Sequence, residues 1–188
     1  GGEDDGFAFT DYNVVTNAWH YAALKQMEGI AGALGKQDDV AFYASESDAF
    51  KKRFIRLFFD VRKGYFTDGL AADTDHASLH GNMFPLAFDL VPAGKKQNVV
   101  DFIQTRGMAC SVYGSQFLMD ALYEANDAEY ALHILTKTDD RSWYNMIRVG
   151  STISLEAWDN KYKPNQDWNH AWGAAPANII PRRLMGVE

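Results

Sequence analysis

Between Ser154 and Gly173 the chain reads SLEAWDNKYKPNQDWNHAWG, which gathers three Trp, a Glu, two Asp and a His, with amides between them. Flat aromatic faces suit the apolar C–H face of a sugar ring, while carboxylates, amides and imidazole suit its rim of hydroxyls. Trp143, Trp158, Trp168 and Trp172 place four of the five tryptophans in the last 46 residues. Indoles at that density also fill cores. What favours a binding wall is the company of Glu156, Asp159, Asp167, Asn169 and His170 on a stretch with no helical or strand period, because loops on a rigid scaffold carry function. Glu156 lies between Leu155 and Trp158, and apolar surroundings disfavour a charged carboxylate, which points to a raised pKa and a proton-carrying role, although a Glu taken alone is more often a surface or capping residue. Asp159, Asp167 and Asn169 equally suit turns and caps, and His170 a structural hydrogen bond.

Other chemistries find weaker support. DTDHASLH sets His76 and His80 one helical turn apart, near Asp73 and Asp75. The zinc-protease pattern needs Glu after its first His, and Ala77 stands there, so no metal site is expected. These residues are read instead as capping a helix and lining a cavity. Ser111 and Ser115 flank Gly114 without the spacing of a nucleophile elbow. No glycine-rich phosphate loop occurs, and no cofactor is implied. Cys110 is the only cysteine, read as a small buried hydrophobe.

The elements that must position the stretch are helical. Val15, Trp19, Ala22, Met27, Ile30, Ala31 and Leu34 recur at steps of three to five, predicting a helix over 11–34 that Gly35 ends. A second is expected over 38–61, with Tyr43, Phe50, Phe54, Leu57 and Phe58 on one side. KGYFTDG then reads as a turn or short strand. Further helices are expected over 76–91, 97–106, 115–125 and 128–136, and a short one in RSWYNMIRVG. A last, over 171–184, must be interrupted or bent by Pro176 and Pro181. The fold class is therefore all-α, built from helical hairpins in one domain over 1–188.

A net charge of −7 offers no basic surface for nucleic acid or an anionic membrane, and no apolar run is long enough for membrane insertion. The opening GGEDDGF has neither the basic nor the apolar region of a signal peptide and reads as an interior loop or a cut edge. The compartment stays open.

GMACSVYGSQFLMDALYEAND, RSWYNMIRVGSTISLEAWD and DWNHAWGAAPANIIPRRLMG resemble successive motifs from the C-terminal half of the catalytic domain of bacterial α-L-rhamnosidases. The order is matched by Gly114, Leu122, Tyr123, Glu124, Ser142, Trp143, Gly150, Ser151, Thr152, Glu156, Trp158, Asp159, Asn169, His170 and Gly173. HGNMFPLAFDLVP and NVVTNAWHYAALKQMEGIAGALG are similar to preceding helices. The resemblance implies a six-hairpin α/α toroid with its active site at the wide end, hydrolysing terminal α-L-rhamnose with inversion. Glu156 would be the general base and His170 a sugar ligand. Trp143, Trp158 and Trp172 would be aromatic walls, with Asn169 and Tyr113 as further contacts. The partner is a rhamnose-containing glycan.

The family's general acid belongs to a segment before the first helix, which GGEDD does not replace. About eight helices are also too few for a toroid of twelve, which leaves it incomplete at the N-terminal side. The expectation is a C-terminal part of the catalytic domain, inactive by itself, with apolar surface open to self-association. A non-catalytic carbohydrate-binding module and a six-hairpin glycosidase for another sugar are the alternatives.

Overall fold

The computed structural model describes residues 3–187, so the expectation placed on Gly1 and Gly2 lies outside the described residues. Contacts divide the chain into two compact units, one of residues 7–99 and one of residues 100–187 with 3–6. The boundary falls within helix α4, Lys96–Arg106. Among the described residues no helix is long and apolar enough to cross a membrane.

In the first unit, α1 runs Val14–Ala33 and packs along α2, Gln37–Phe58. The Asn13 side chain accepts the Thr16 N–H at 2.8 Å and starts α1. Gly35, at φ +70°, ends it, with the Lys36 N–H reaching the Ala31 carbonyl at 2.9 Å. The apolar positions of α1 split into two stripes. Val14, Ala18, Tyr21, Ala22 and Ala31 are buried, whereas Met27, Ile30 and Leu34 are exposed, Leu34 by 67%. Three of the five buried positions are alanines, while the larger residues Met27, Ile30 and Leu34 of the periodic pattern face outward. Trp19 is covered in part by the rings of Phe84 and Phe88, at 5.5 and 5.0 Å.

KGYFTDG supplies β2, Tyr65–Phe66, pairing antiparallel with β1, Phe59–Asp60. The helix expected from His76 starts later, as α3, His80–Ala87. Asp68 explains the delay. Its fully buried carboxylate accepts the Ala8 N–H at 3.0 Å, the Ser78 N–H at 2.9 Å and the Ser78 O–H at 2.7 Å, and pairs with His76 Nδ1 at 2.6 Å. Its backbone takes the Val14 N–H and gives its own N–H to the His76 carbonyl, both at 2.9 Å. Those bonds hold residues 76–79 away from helical pairing. Gly81 must lack a side chain, since a Cβ there would lie 2.7 Å from Asp68 Oδ1. His76 is thus bound to Asp68, and Asp75 pairs with Lys63 at 3.8 Å.

In the second unit, α5 (Ser115–Glu124) and α6 (Ala128–Thr136) are joined through Asn126, at φ +61°. The Asp127 N–H closes the turn on the Leu122 carbonyl at 2.9 Å. The short α7 is Trp143–Arg148. The C-terminal stretch is a 3₁₀ turn over Ala171–Ala174, then α8, Ala175–Ile179, then a π turn over Ile180–Leu184. Pro176 sits in the first turn of α8, where its missing N–H costs nothing, and Pro181 falls where the helix widens. Asp120 of α5 binds Arg182 at 2.9 Å and Arg183 at 3.1 Å, docking this stretch. Cys110 is buried, and burial pushes its thiol pKa up.

Replacing Asp68 by Asn removes the charge and sets an amide N–H₂ against at least one of those donors. A loss of about 2–3 kcal/mol is expected in urea unfolding of the chain; an unchanged midpoint would contradict this account of Asp68.

Candidate active site

The stretch between Ser154 and His170 is a loop folded back on itself. The His170 N–H reaches the Ser154 carbonyl at 3.0 Å, and Ser154 Oγ donates to the His170 carbonyl at 2.8 Å. The Glu156 N–H reaches the Asp167 carbonyl at 3.1 Å, and the Ala157 N–H reaches Gln166 Oε1 at 2.9 Å. Two limbs therefore run against each other, ladder-like, although neither is a regular strand. Asp159 works as a turn residue: its Oδ1 accepts the Lys161 N–H at 3.0 Å and its Oδ2 the Asn145 amide at 2.9 Å.

Helix α7 anchors the loop from below. The Ser142 side chain caps α7 at the Asn145 N–H, 3.0 Å away, and buried Asn145 donates to the Trp158 carbonyl at 2.9 Å. Trp158 is completely buried, with its indole N–H on the Cys110 carbonyl at 2.7 Å. Trp143 meets it edge-on at 5.2 Å and donates its own indole N–H to the Gly173 carbonyl at 2.9 Å. The expectation that Trp158 forms an aromatic wall is therefore corrected. A ring with no exposed face cannot stack on a sugar, and Trp158 is the core beneath the loop. Trp143, partly buried, serves the same support.

Above that core the structure brings four expected residues together. His170 stacks on Trp172 at 4.1 Å with 27° between planes, and Tyr113 packs against Trp172 at 5.5 Å. Trp172 is 39% and Tyr113 50% exposed, so this aromatic row has an open side. The Trp172 indole N–H donates to the Glu156 carbonyl at 3.0 Å, which fixes the row to the loop. Asn169 is exposed next to His170, as is Trp168. His170 Nδ1 is buried without a hydrogen-bond partner among the described residues, a costly state in a folded protein.

Glu156 lies at the foot of this row. Its side chain keeps 12% of its exposure, forms an ion pair with Lys163 through Oε1 and accepts the Asp167 N–H on Oε2 at 3.0 Å. Lys163 first, then the Asp167 N–H, hold its carboxyl below the usual glutamate range, and His170 adds to this electrostatically. The expected upward shift is overturned. The loop supplies a cation and a backbone donor that outweigh desolvation by the neighbouring apolar residues. Lys163 and Gln166 escaped the sequence reading. The one signal for Lys163 is its place before Pro164, in a loop otherwise rich in acids and amides.

A side-chain carboxylate held ionised beside stacked aromatic rings suits activation of water next to a sugar. A family described as bacterial alpha-L-rhamnosidase 6 hairpin glycosidase domain matches residues 2–184. The chain belongs to this family. No curated protein matches it. The fold is similar to α-L-rhamnosidase from Dictyoglumus thermophilum, with a TM-score of 0.74 and 22% identity over 88% of this chain and 19% of that one. Native α-L-rhamnosidase from Aspergillus terreus gives a TM-score of 0.77 and 19% identity over 97% of this chain and 22% of that one. A rhamnosidase from Klebsiella oxytoca with rhamnose bound gives 0.76 and 16% over 100% of this chain and 38% of that one. The chain thus spans 19–38% of the length of these enzymes, and at such identities the likeness is one of fold. It is a rhamnosidase-type six-hairpin glycosidase domain of all-α class.

Gly173, in the 3₁₀ turn that follows the loop, lies close against its first limb, for a Cβ there would lie 2.6 Å from the Leu155 carbonyl and 2.8 Å from Ser154 Cβ. Gly173→Ala is expected to cost about 1–3 kcal/mol in denaturant unfolding, since the contact is with backbone that cannot rotate away. Equal stability would show that the two limbs move apart freely.

Proposed function

We propose that this chain carries the water-activating side of an inverting α-L-rhamnosidase, with Glu156 as general base. The observation that carries the reading is an ionised carboxylate fixed by Lys163 and the Asp167 N–H at the foot of the His170–Trp172–Tyr113 row. Inversion requires the base and a proton-donating carboxyl to stand roughly 6.5–9.5 Å apart, so that water enters between base and sugar. A base must be unprotonated to accept a proton from that water, and the lowered pKa of Glu156 keeps it so at neutral pH and below. Trp172 and Tyr113 offer flat faces to the ring, and His170 a polar edge to its hydroxyls. The substrate class is a glycan or glycoside ending in α-L-rhamnose, in line with the family to which the chain belongs.

Hydrolysis of an aryl α-L-rhamnoside by the full-length protein tests this, with the anomeric form of the first product read by proton NMR. Glu156→Gln is expected to lower kcat by about 10²–10⁴-fold. A variant as fast as the parent, or a first product with retained configuration, would refute the assignment.

The pH dependence follows from sign. Because the Glu156 pKa is lowered, activity that needs the carboxylate is lost only as pH falls through that low value. Removing the cation with Lys163→Met raises the pKa and moves the acidic limb of kcat/KM to higher pH. An unmoved limb would separate Lys163 from the base.

A further inference from the structure

A second carboxylate, far away in sequence, meets the same loop. The three successive N–H groups of residues 156–158 find three different acceptors. The first two, the Asp167 carbonyl and Gln166 Oε1, belong to the returning limb of the loop. The third, from Trp158, is accepted by Glu3 Oε1 at 3.4 Å. Glu3 is partly buried, and burial raises its pKa above the usual range. The charged groups acting on it are Arg141 and Lys163, which oppose that rise, and Glu156, which adds to it. Lys163 thus acts on both carboxylates, and Glu156 acts on Glu3.

We propose that Glu3 is a positioning residue for Glu156, holding the 156–158 backbone through the Trp158 N–H and setting by its charge how strongly Lys163 captures the Glu156 carboxylate. The inference rests on the reading of Glu156 as the base. Two physical effects separate within it. The first is geometric: the Glu156 carbonyl is held by the Trp172 indole N–H and the Trp158 indole by the Cys110 carbonyl, and the Trp158 N–H is the anchor of this backbone whose acceptor comes from a segment distant in sequence. Without an acceptor there, a buried N–H is left unpaired and the base moves with it. The second is electrostatic and reciprocal. If Glu156 makes Glu3 harder to ionise, Glu3 makes Glu156 harder to ionise by the same interaction. A lysine paired directly to a base weakens it as a proton acceptor, and the negative charge of Glu3 restores part of that basicity.

Gln at position 3 keeps an oxygen acceptor and removes the charge, whereas Ala removes both. In the full-length protein, Glu3→Ala is expected to lower kcat/KM for an aryl α-L-rhamnoside by about tenfold through misplacement of the base. Glu3→Gln is expected to recover most of that loss. It also moves the acidic limb to lower pH by about half a unit, because Glu156 then gives up its proton more readily. Glu3→Ala within twofold of the parent, or a Glu3→Gln limb that does not move, would overturn the proposal. Carbon-13 NMR titration of the Glu156 carboxyl in the parent and Glu3→Gln proteins reads the coupling without turnover. The Glu156 midpoint is expected to fall in the variant, and an unchanged midpoint overturns the proposal whatever the kinetics show. If instead Glu156→Gln is fully active while the midpoint still shifts, the base reading has failed and the coupling stands.

Discussion

Backbone N–H groups outside helices and strands must be satisfied one at a time, and in this chain side-chain oxygens do much of that work at the places that matter. The unit of residues 7–99 depends on Asp68, whose buried carboxylate collects the N–H groups of Ala8 and Ser78 with the side chains of Ser78 and His76. The loop bearing Glu156 depends on Gln166 and Glu3 for the N–H groups of Ala157 and Trp158. Leaving such a group buried and unpaired costs more than a hydrogen bond contributes, so each acceptor specifies a local path for the chain. Irregular structure of this kind is specified, not slack.

That constraint explains the division of labour among the indoles. Trp158 and Trp143 send their N–H groups to main-chain carbonyls and give their rings to the core. Trp172 also bonds a carbonyl, that of Glu156, but keeps an open face against which His170 stacks. The same residue type thus supplies foundation and surface. What separates the two is whether the ring lies under the folded loop or along its rim. Glu156 is likewise defined by its neighbours: a carboxylate beside apolar side chains becomes a stable anion once Lys163 and the Asp167 N–H face it.

Much of the fold was legible in the sequence. Helices over 115–124 and 128–136 lie within a residue of expectation, because Gly114, Asn126 and Asp127 mark their ends by backbone chemistry that acts locally. The third helix starts four residues later than its sequence suggests because the capture of Ser78 and His76 by Asp68 joins positions that no periodicity relates. On α1, spacing located the helix but only part of its buried stripe, since Ala22 and Ala31 pack inward with Ala18 while Met27, Ile30 and Leu34 do not. Hydrophobicity ranks the large residues first, whereas a close helix pair selects small ones.

The sequence by itself determined the all-α class, the family and the crowding of Glu156, His170, Trp172 and Tyr113 into motifs of fixed order. Those are properties of residue type and local spacing, which short-range physics preserves. Only the tertiary structure decided which indoles are buried, which cation faces Glu156 and in which direction its pKa moves. Those outcomes depend on contacts across the folded loop, including Lys163, Gln166 and the distant Glu3. Electrostatic effects of this kind are set by distance and burial, and a linear order of residues contains neither.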